Sequence, residues 1–99
     1  MKYTYEISKL AQQDLEDIWK YTFENWSLNQ ADKYHQIILR EFDKICEHPE
    51  IGNPIDYVKQ GHRTRRIKSP LIVYKIQNGK VWIDRVLHES MDIETRLSG

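Results

Sequence analysis

The dipeptide Asn78-Gly79 separates two runs of alternating apolar residues, 71–77 and 80–87. A two-residue type I′ turn needs positive φ at both central positions, and Asn-Gly meets that demand with little strain. So short a loop also fixes the register of the strands that leave it. Gln77 then faces Lys80, and the pairs run outward as Ile76–Val81, Lys75–Trp82, Tyr74–Ile83, Val73–Asp84, Ile72–Arg85 and Leu71–Val86. Ile72, Tyr74, Ile76, Val81 and Ile83 share one face. Leu71, Val73, Trp82 and Val86 fall on the other, with Lys75 beside Trp82 and Asp84 opposite Val73.

The rest of the chain supplies a cover for one of those faces. Tyr3, Tyr5 and Ile7 alternate with polar neighbours over 2–7, the pattern of a half-buried strand. Ser8 is placed as an N-cap. Ala11, Leu15, Ile18, Trp19, Thr22 and Trp26 then recur at helical steps, with Asp14, Glu16, Asp17 and Lys20 on the polar side. After a break at Asn25-Trp-Ser27, the spacing Ser27-Leu-Asn-Gln30 is that of a capping box. It opens a second helix whose stripe is Ala31, Tyr34, Ile38, Phe42 and Ile45, with Ile37 alongside; packing in the core is the simplest role for both stripes. His48-Pro49 ends this helix, because the residue before a proline is pushed out of helical dihedrals. Residues 49–61 hold Pro49, Gly52, Pro54 and Gly61 and read as a loop, and 62–67 as a further strand.

The expected architecture is α+β, in the order β-α-α-β-β-β, with a helical hairpin packed on a small, mainly antiparallel sheet. Ninety-nine residues make one domain, 1–99. Two helices can cover only one face, so Leu71, Val73, Trp82 and Val86 are expected to stay open as a docking surface for another protein. The alternative is that the N-terminal strand, the 49–61 loop or the C-terminal tail shields them. No apolar run approaches the roughly 20 residues that span a bilayer, and the N-terminus lacks a signal-peptide pattern, so the expected location is cytoplasmic. The single cysteine, Cys46, excludes an internal disulfide and the paired spacings of a zinc site.

Charge is distributed unevenly behind a formal net of zero. Residues 1–50 carry six Lys/Arg against ten Asp/Glu, and residues 51–99 carry nine against five. Five of those nine cations, Lys59, Arg63, Arg65, Arg66 and Lys68, lie within ten residues that hold no acid. Such a stretch suits an anionic partner, or it protects an edge strand from aggregation.

Several segments together resemble the RelE/ParE toxin superfamily of bacterial type II toxin–antitoxin systems, and its ParE branch in particular. They are Ala11-Gln-Gln-Asp-Leu-Glu-Asp-Ile-Trp-Lys-Tyr-Thr22, Trp26-Ser27 leading into Gln30-Ala31, and His48-Pro49 with Gly52. Gly61-His-Arg63 and Ile83-Asp-Arg-Val-Leu-His88 with Ser90-Met-Asp92 complete the set. The resemblance implies a non-catalytic toxin that traps DNA gyrase on cleaved DNA. A ParD-like antitoxin would neutralise it with a segment that folds on binding. No cofactor, metal or membrane is implied, nor sequence-specific DNA binding by the toxin alone. Arg63, Arg65, Arg66 and Lys68, then Arg85 and His88, are the candidates for the target; Leu71, Val73, Trp82 and Val86 are those for the antitoxin.

The RelE branch instead cleaves messenger RNA on the ribosome, which needs basic and acid–base groups around a phosphate. His62, Arg63, Arg65, Arg66, Lys68, Arg85 and His88 are the candidates here. Two departures weigh against cleavage: Leu71 and its neighbours stand where that branch tends to carry an arginine, and the tail after His88 has no aromatic or histidine. One departure touches the ParE likeness, since Ser69-Pro70 stands where ParE-like chains often have a histidine. A third possibility is a toxin fold that has lost toxicity and survives as a binding module.

Overall fold

Each helix begins on a serine that does the work of a cap. In a computed structural model, which describes residues 3–67 and 70–87, Ser8 accepts from the Ala11 amide at 3.0 Å and Ser27 from the Gln30 amide at 3.1 Å. These hydroxyls satisfy amides that no helical carbonyl can reach. Strand β1 (Thr4–Ile7) leads into α1 (Lys9–Asn25), and α2 (Leu28–Glu47) follows after two residues. Among the described residues a 3-10 turn at Pro49–Ile51 and four strands follow: β2 (Asn53–Pro54), β3 (His62–Arg66), β4 (Leu71–Gln77) and β5 (Lys80–Leu87). The turn, and a two-residue strand pairing with β3, occupy part of what the sequence presents as a plain loop.

The five strands are ordered β1-β5-β4-β3-β2, with β1 parallel to β5 and the other pairs antiparallel. Asn78 and Gly79 take φ of 53° and 73°, as the type I′ turn requires. The helices lie on the face that carries Ile72, Tyr74, Val81 and Ile83, where Ala11, Leu15, Ile18, Ile38, Phe42 and Ile45 meet them in one core. Tyr5 from β1 packs edge-on against Phe42, ring centroids 5.3 Å apart. Cys46 is buried in the same core. The fold is thus the expected α+β sandwich of a helical hairpin on a sheet.

The register departs from expectation halfway along the central hairpin. Gln77–Lys80 through Tyr74–Ile83 pair as the turn dictates, but Val73 then faces Arg85, Ile72 faces Val86 and Leu71 faces Leu87. Asp84 is the extra residue of a β-bulge. Side chains and backbone from elsewhere hold it in place. The Ser8 hydroxyl donates to the Asp84 carbonyl at 2.7 Å, and the Val86 amide donates to the Asp14 carboxylate at 3.0 Å. Beyond the short β1, the start of α1 therefore supplies the partners for this end of β5.

Two corrections follow for the docking surface. Val86 lies in the main core beside Ile72 and is fully buried, not on the open face. Leu71 and Val73 do lie on that face, but with Leu87 they form a second small core under Ile55 and, partly, Val58. The segment after β2 folds back over the sheet, so the chain covers much of its own second face. Only Trp82 of the four residues stays half-buried, its indole N–H donating to the Gln77 carbonyl at 3.1 Å.

The helical stripes also differ from expectation at their polar margins. Trp26, expected in the core, is 75% exposed at the tip of the hairpin, and Trp19 is half-buried. Asp14, expected on the polar side, is buried at 5% exposure. Among the described residues no helix is long and apolar enough to cross a membrane.

Candidate functional site

The pleat of β3 divides the basic stretch between two environments. Successive side chains on a strand point to opposite faces, so Arg63 and Arg65, opposite the core residues Tyr74 and Ile72, turn toward the helical side. Arg63 donates from Nη1 to the Gly52 carbonyl at 2.8 Å, with the Glu50 carbonyl at 3.4 Å. Arg65 brings Nε to 3.4 Å from the carboxylate of Glu41, a glutamate of α2 with only 5% exposure. Both arginines bind the 49–52 segment or α2 to the sheet, and neither presents a whole guanidinium to solvent. Arg66 is the exposed cation of this strand. Lys68 and His88 lie outside the described residues.

Arg85 is committed to the fold. Its Nε and Nη2 meet Asp14 Oδ2 and Oδ1 at 2.8 and 2.9 Å, a bidentate pair, and the side chain is 14% exposed. Hydrogen bonding to Asp14 raises the guanidinium pKa further, outweighing the opposing effect of burial. With two N–H groups already spent on one carboxylate, Arg85 is a joint between α1 and β5 and not a free phosphate ligand.

His62, the candidate acid or base, is buried on the second face at 7% exposure. Its Nδ1 lies 3.0 Å from the Gln60 carbonyl, which assigns the proton there if the ring is neutral, and its Nε2 lies 3.6 Å from Asp84 Oδ2. Lys59 Nζ takes the same carboxylate oxygen at 2.8 Å. The bulge at Asp84 thus clasps the strap that carries Ile55 and Val58 over Leu71 and Val73. Among the described residues no group of three or more His, Cys, Asp or Glu is placed to hold a metal ion.

Sequence reasoning missed Asp14, Glu41 and Asp84 as organisers of this arrangement. Each sits where a helical or strand pattern assigns it to solvent, and the cation that pairs with it comes from far along the chain. The exposed aromatic surface of the hairpin, Trp19 stacked on Phe23 at 5.3 Å with Trp26 beyond, was likewise hidden by the 3-4 spacing that core residues share.

Comparison with known proteins agrees with the fold and the motifs. A family model described as the ParE toxin of type II toxin–antitoxin systems, parDE, matches residues 5–93. A protein of Caulobacter vibrioides named Toxin ParE1 is 34% identical over 93 residues, 94% of this chain and 96% of its own. A Mycobacterium tuberculosis protein of the same name is 32% identical over 98 residues, 98% of this chain and 100% of its own. Among solved structures, a chromosomal ParDE system from P. aeruginosa superposes with a TM-score of 0.77 at 16% identity, over 88% of this chain and 96% of that one. The RelBE2 toxin–antitoxin complex of M. tuberculosis gives 0.69 at 20% identity, over 89% and 99%. A match that spans nearly the whole chain, with relatives above 30% identity over almost their full length, leads to one conclusion: this chain belongs to the ParE toxin family of type II toxin–antitoxin systems.

Proposed function

We propose that this toxin acts in the cytoplasm by binding DNA gyrase and holding it on cleaved DNA, without chemistry of its own, and that a ParD-like antitoxin silences it. The observation that carries this reading is the ParE match over residues 5–93, since the fold alone is shared with the RelBE2 complex. The state of the candidate catalytic groups supports it. Cleaving RNA requires acid–base groups that reach a bound phosphodiester, whereas His62 is buried and Arg63, Arg65 and Arg85 already bind partners within the fold. For the target surface we favour Arg66 first, together with Lys68 and His88. Trp82 is the one residue of the expected antitoxin face that keeps partial exposure, and it remains a contact candidate.

Purified toxin added to gyrase and relaxed plasmid tests this directly. Loss of supercoiling, restored by the antitoxin, is the expected result. Unimpaired supercoiling with codon-dependent cuts in messenger RNA would assign the RelE-type activity instead.

A further inference from the structure

The outer side of α1 carries an open groove along the margin of the core. Its floor is Leu15, Trp19 and Phe23, the last two stacked with their rings 5° from parallel. Phe23 is 46% exposed and Trp26, one turn on, is 75% exposed. Along one wall stand Glu16, Lys20 and Glu24, spaced four residues apart. Glutamate four residues before lysine is the favoured order for a helical ion pair, yet among the described residues none of the three is in an ion pair. The ridge therefore presents unpaired charges of alternating sign beside an aromatic stripe.

That pattern selects the occupant. A wholly basic partner would meet Lys20, and a wholly acidic one would meet Glu16 and Glu24. A surface of alternating sign matches the ridge, and the molecule itself carries one. A two-fold axis perpendicular to α1 brings the ridges of two antiparallel helices to the same side, so position 22+n faces position 22−n when the axis lies level with Thr22. Lys20 of each copy then faces Glu24 of the other. At a rise of about 1.5 Å per residue, Phe23 then stands about 3 Å along the axis from its own counterpart, and Trp19 about 1.5 Å from Trp26 of the second copy, within reach of aromatic side chains. An axis one turn earlier, near Ile18, also pairs Lys20 with Glu16 but leaves Trp26 uncovered.

We propose that this groove is a self-association surface, on which two copies of the toxin pack α1 against α1 with Lys20–Glu24 pairs flanking a seam of six aromatic side chains. Such an interface is isologous and closes on itself, and its aromatic centre with a charged rim is a usual anatomy for a protein–protein contact. It stands apart from the gyrase reading and survives if that reading fails.

The test is the mass of the full-length chain, free of antitoxin, by light scattering at about 100 µM, a range in which modest dimers populate. The wild type should be a dimer. Lys20→Glu and Glu24→Lys should each be monomeric, with association weakened by about tenfold or more as attractive pairs become repulsive. An equimolar mixture of the two variants should recover the dimer, because the reversed charges again pair across the axis. Arg40→Glu, an exposed charge of α2 that does not line the groove, should dimerise as the wild type does. All three side chains altered in this test are exposed, and unchanged circular dichroism would confirm intact folds. A monomeric wild type, a dimer indifferent to both single reversals, or a mixture that stays monomeric would each overturn the proposal.

Discussion

Asp14 and Arg85, 71 residues apart, form a bidentate pair at 2.8 and 2.9 Å, and the same carboxylate also accepts the Val86 amide at 3.0 Å. One side chain on α1 thus satisfies both the cation and the backbone donor beside the Asp84 bulge. Removing one partner of a buried pair strands the other, which costs about 3–5 kcal/mol. Asp14→Ala should therefore lower unfolding stability in urea by an amount in that range. Arg85→Lys should be only partly tolerated, since an ammonium cannot reproduce the two-pronged contact.

Tyr74 holds the 49–52 segment to the sheet. Its hydroxyl donates to the Pro49 carbonyl at 2.6 Å and accepts from the Gly52 amide at 2.9 Å. Tyr74→Phe leaves both backbone groups without this partner, and should cost about 1–3 kcal/mol. Gly52→Ala should be harmful for a separate reason. A Cβ there would stand 2.5 Å from the Tyr74 hydroxyl and 2.8 Å from the Thr64 carbonyl, inside contact distance of backbone that cannot yield. Thermal unfolding of the two variants checks both statements.

Burial raises the phenol pKa of Tyr74, and burial with the nearby Asp43 and Cys46 raises that of Tyr5, above the ordinary 10.0. The folded state then keeps these protons after the unfolded chain has released them. Their contribution to stability is complete below pH 10.0 and is lost as pH climbs through the folded-state values. Stability should fall with alkaline pH from about 10 upward. In Tyr5→Phe part of that fall should disappear, measured as urea midpoints at successive pH values; an unchanged slope would exclude Tyr5 as a contributor.

The strap over the second face should be separable from the main core. Lys59→Ala removes the cation at 2.8 Å from Asp84, a partly exposed pair that contributes up to about 1 kcal/mol. Global stability should change little, while amide exchange at Ile55 and Val58 accelerates relative to α1 and α2. Val73→Ala, by contrast, removes fully buried methyls beneath that strap and should cost about 1–3 kcal/mol.

Local signals made most of the fold legible. Ser8, Ser27 and His48-Pro49 bound the helices where the sequence places them, and Asn78-Gly79 sets the first four pairs of the hairpin. What escaped depends on partners distant in the chain. The turn fixes register only as far as the ladder is regular, and the bulge at Asp84 is held by Ser8, Asp14 and Lys59, none of which is its neighbour in sequence. One extra residue sends Val86 to the opposite face, which a pattern of alternating residues cannot reveal. The covering of Leu71 and Val73 was equally hidden, because Ile55 and Val58 are two isolated apolar residues in a stretch punctuated by proline and glycine. Arg85 was readable as a joint or as a target contact, and only the position of Asp14 decides between them.

Gyrase cleavage complexes offer the most direct check on the central proposal. Toxin is incubated with gyrase, ATP and supercoiled plasmid, the reaction is stopped with detergent, and DNA covalently bound to protein is quantified. The account predicts that broken, protein-linked DNA rises with toxin concentration, returns to background with antitoxin, and is reduced in Arg66→Glu without loss of fold. Plasmid left intact and unlinked at every toxin concentration, while the same preparation halts translation by cutting messenger RNA, would contradict it.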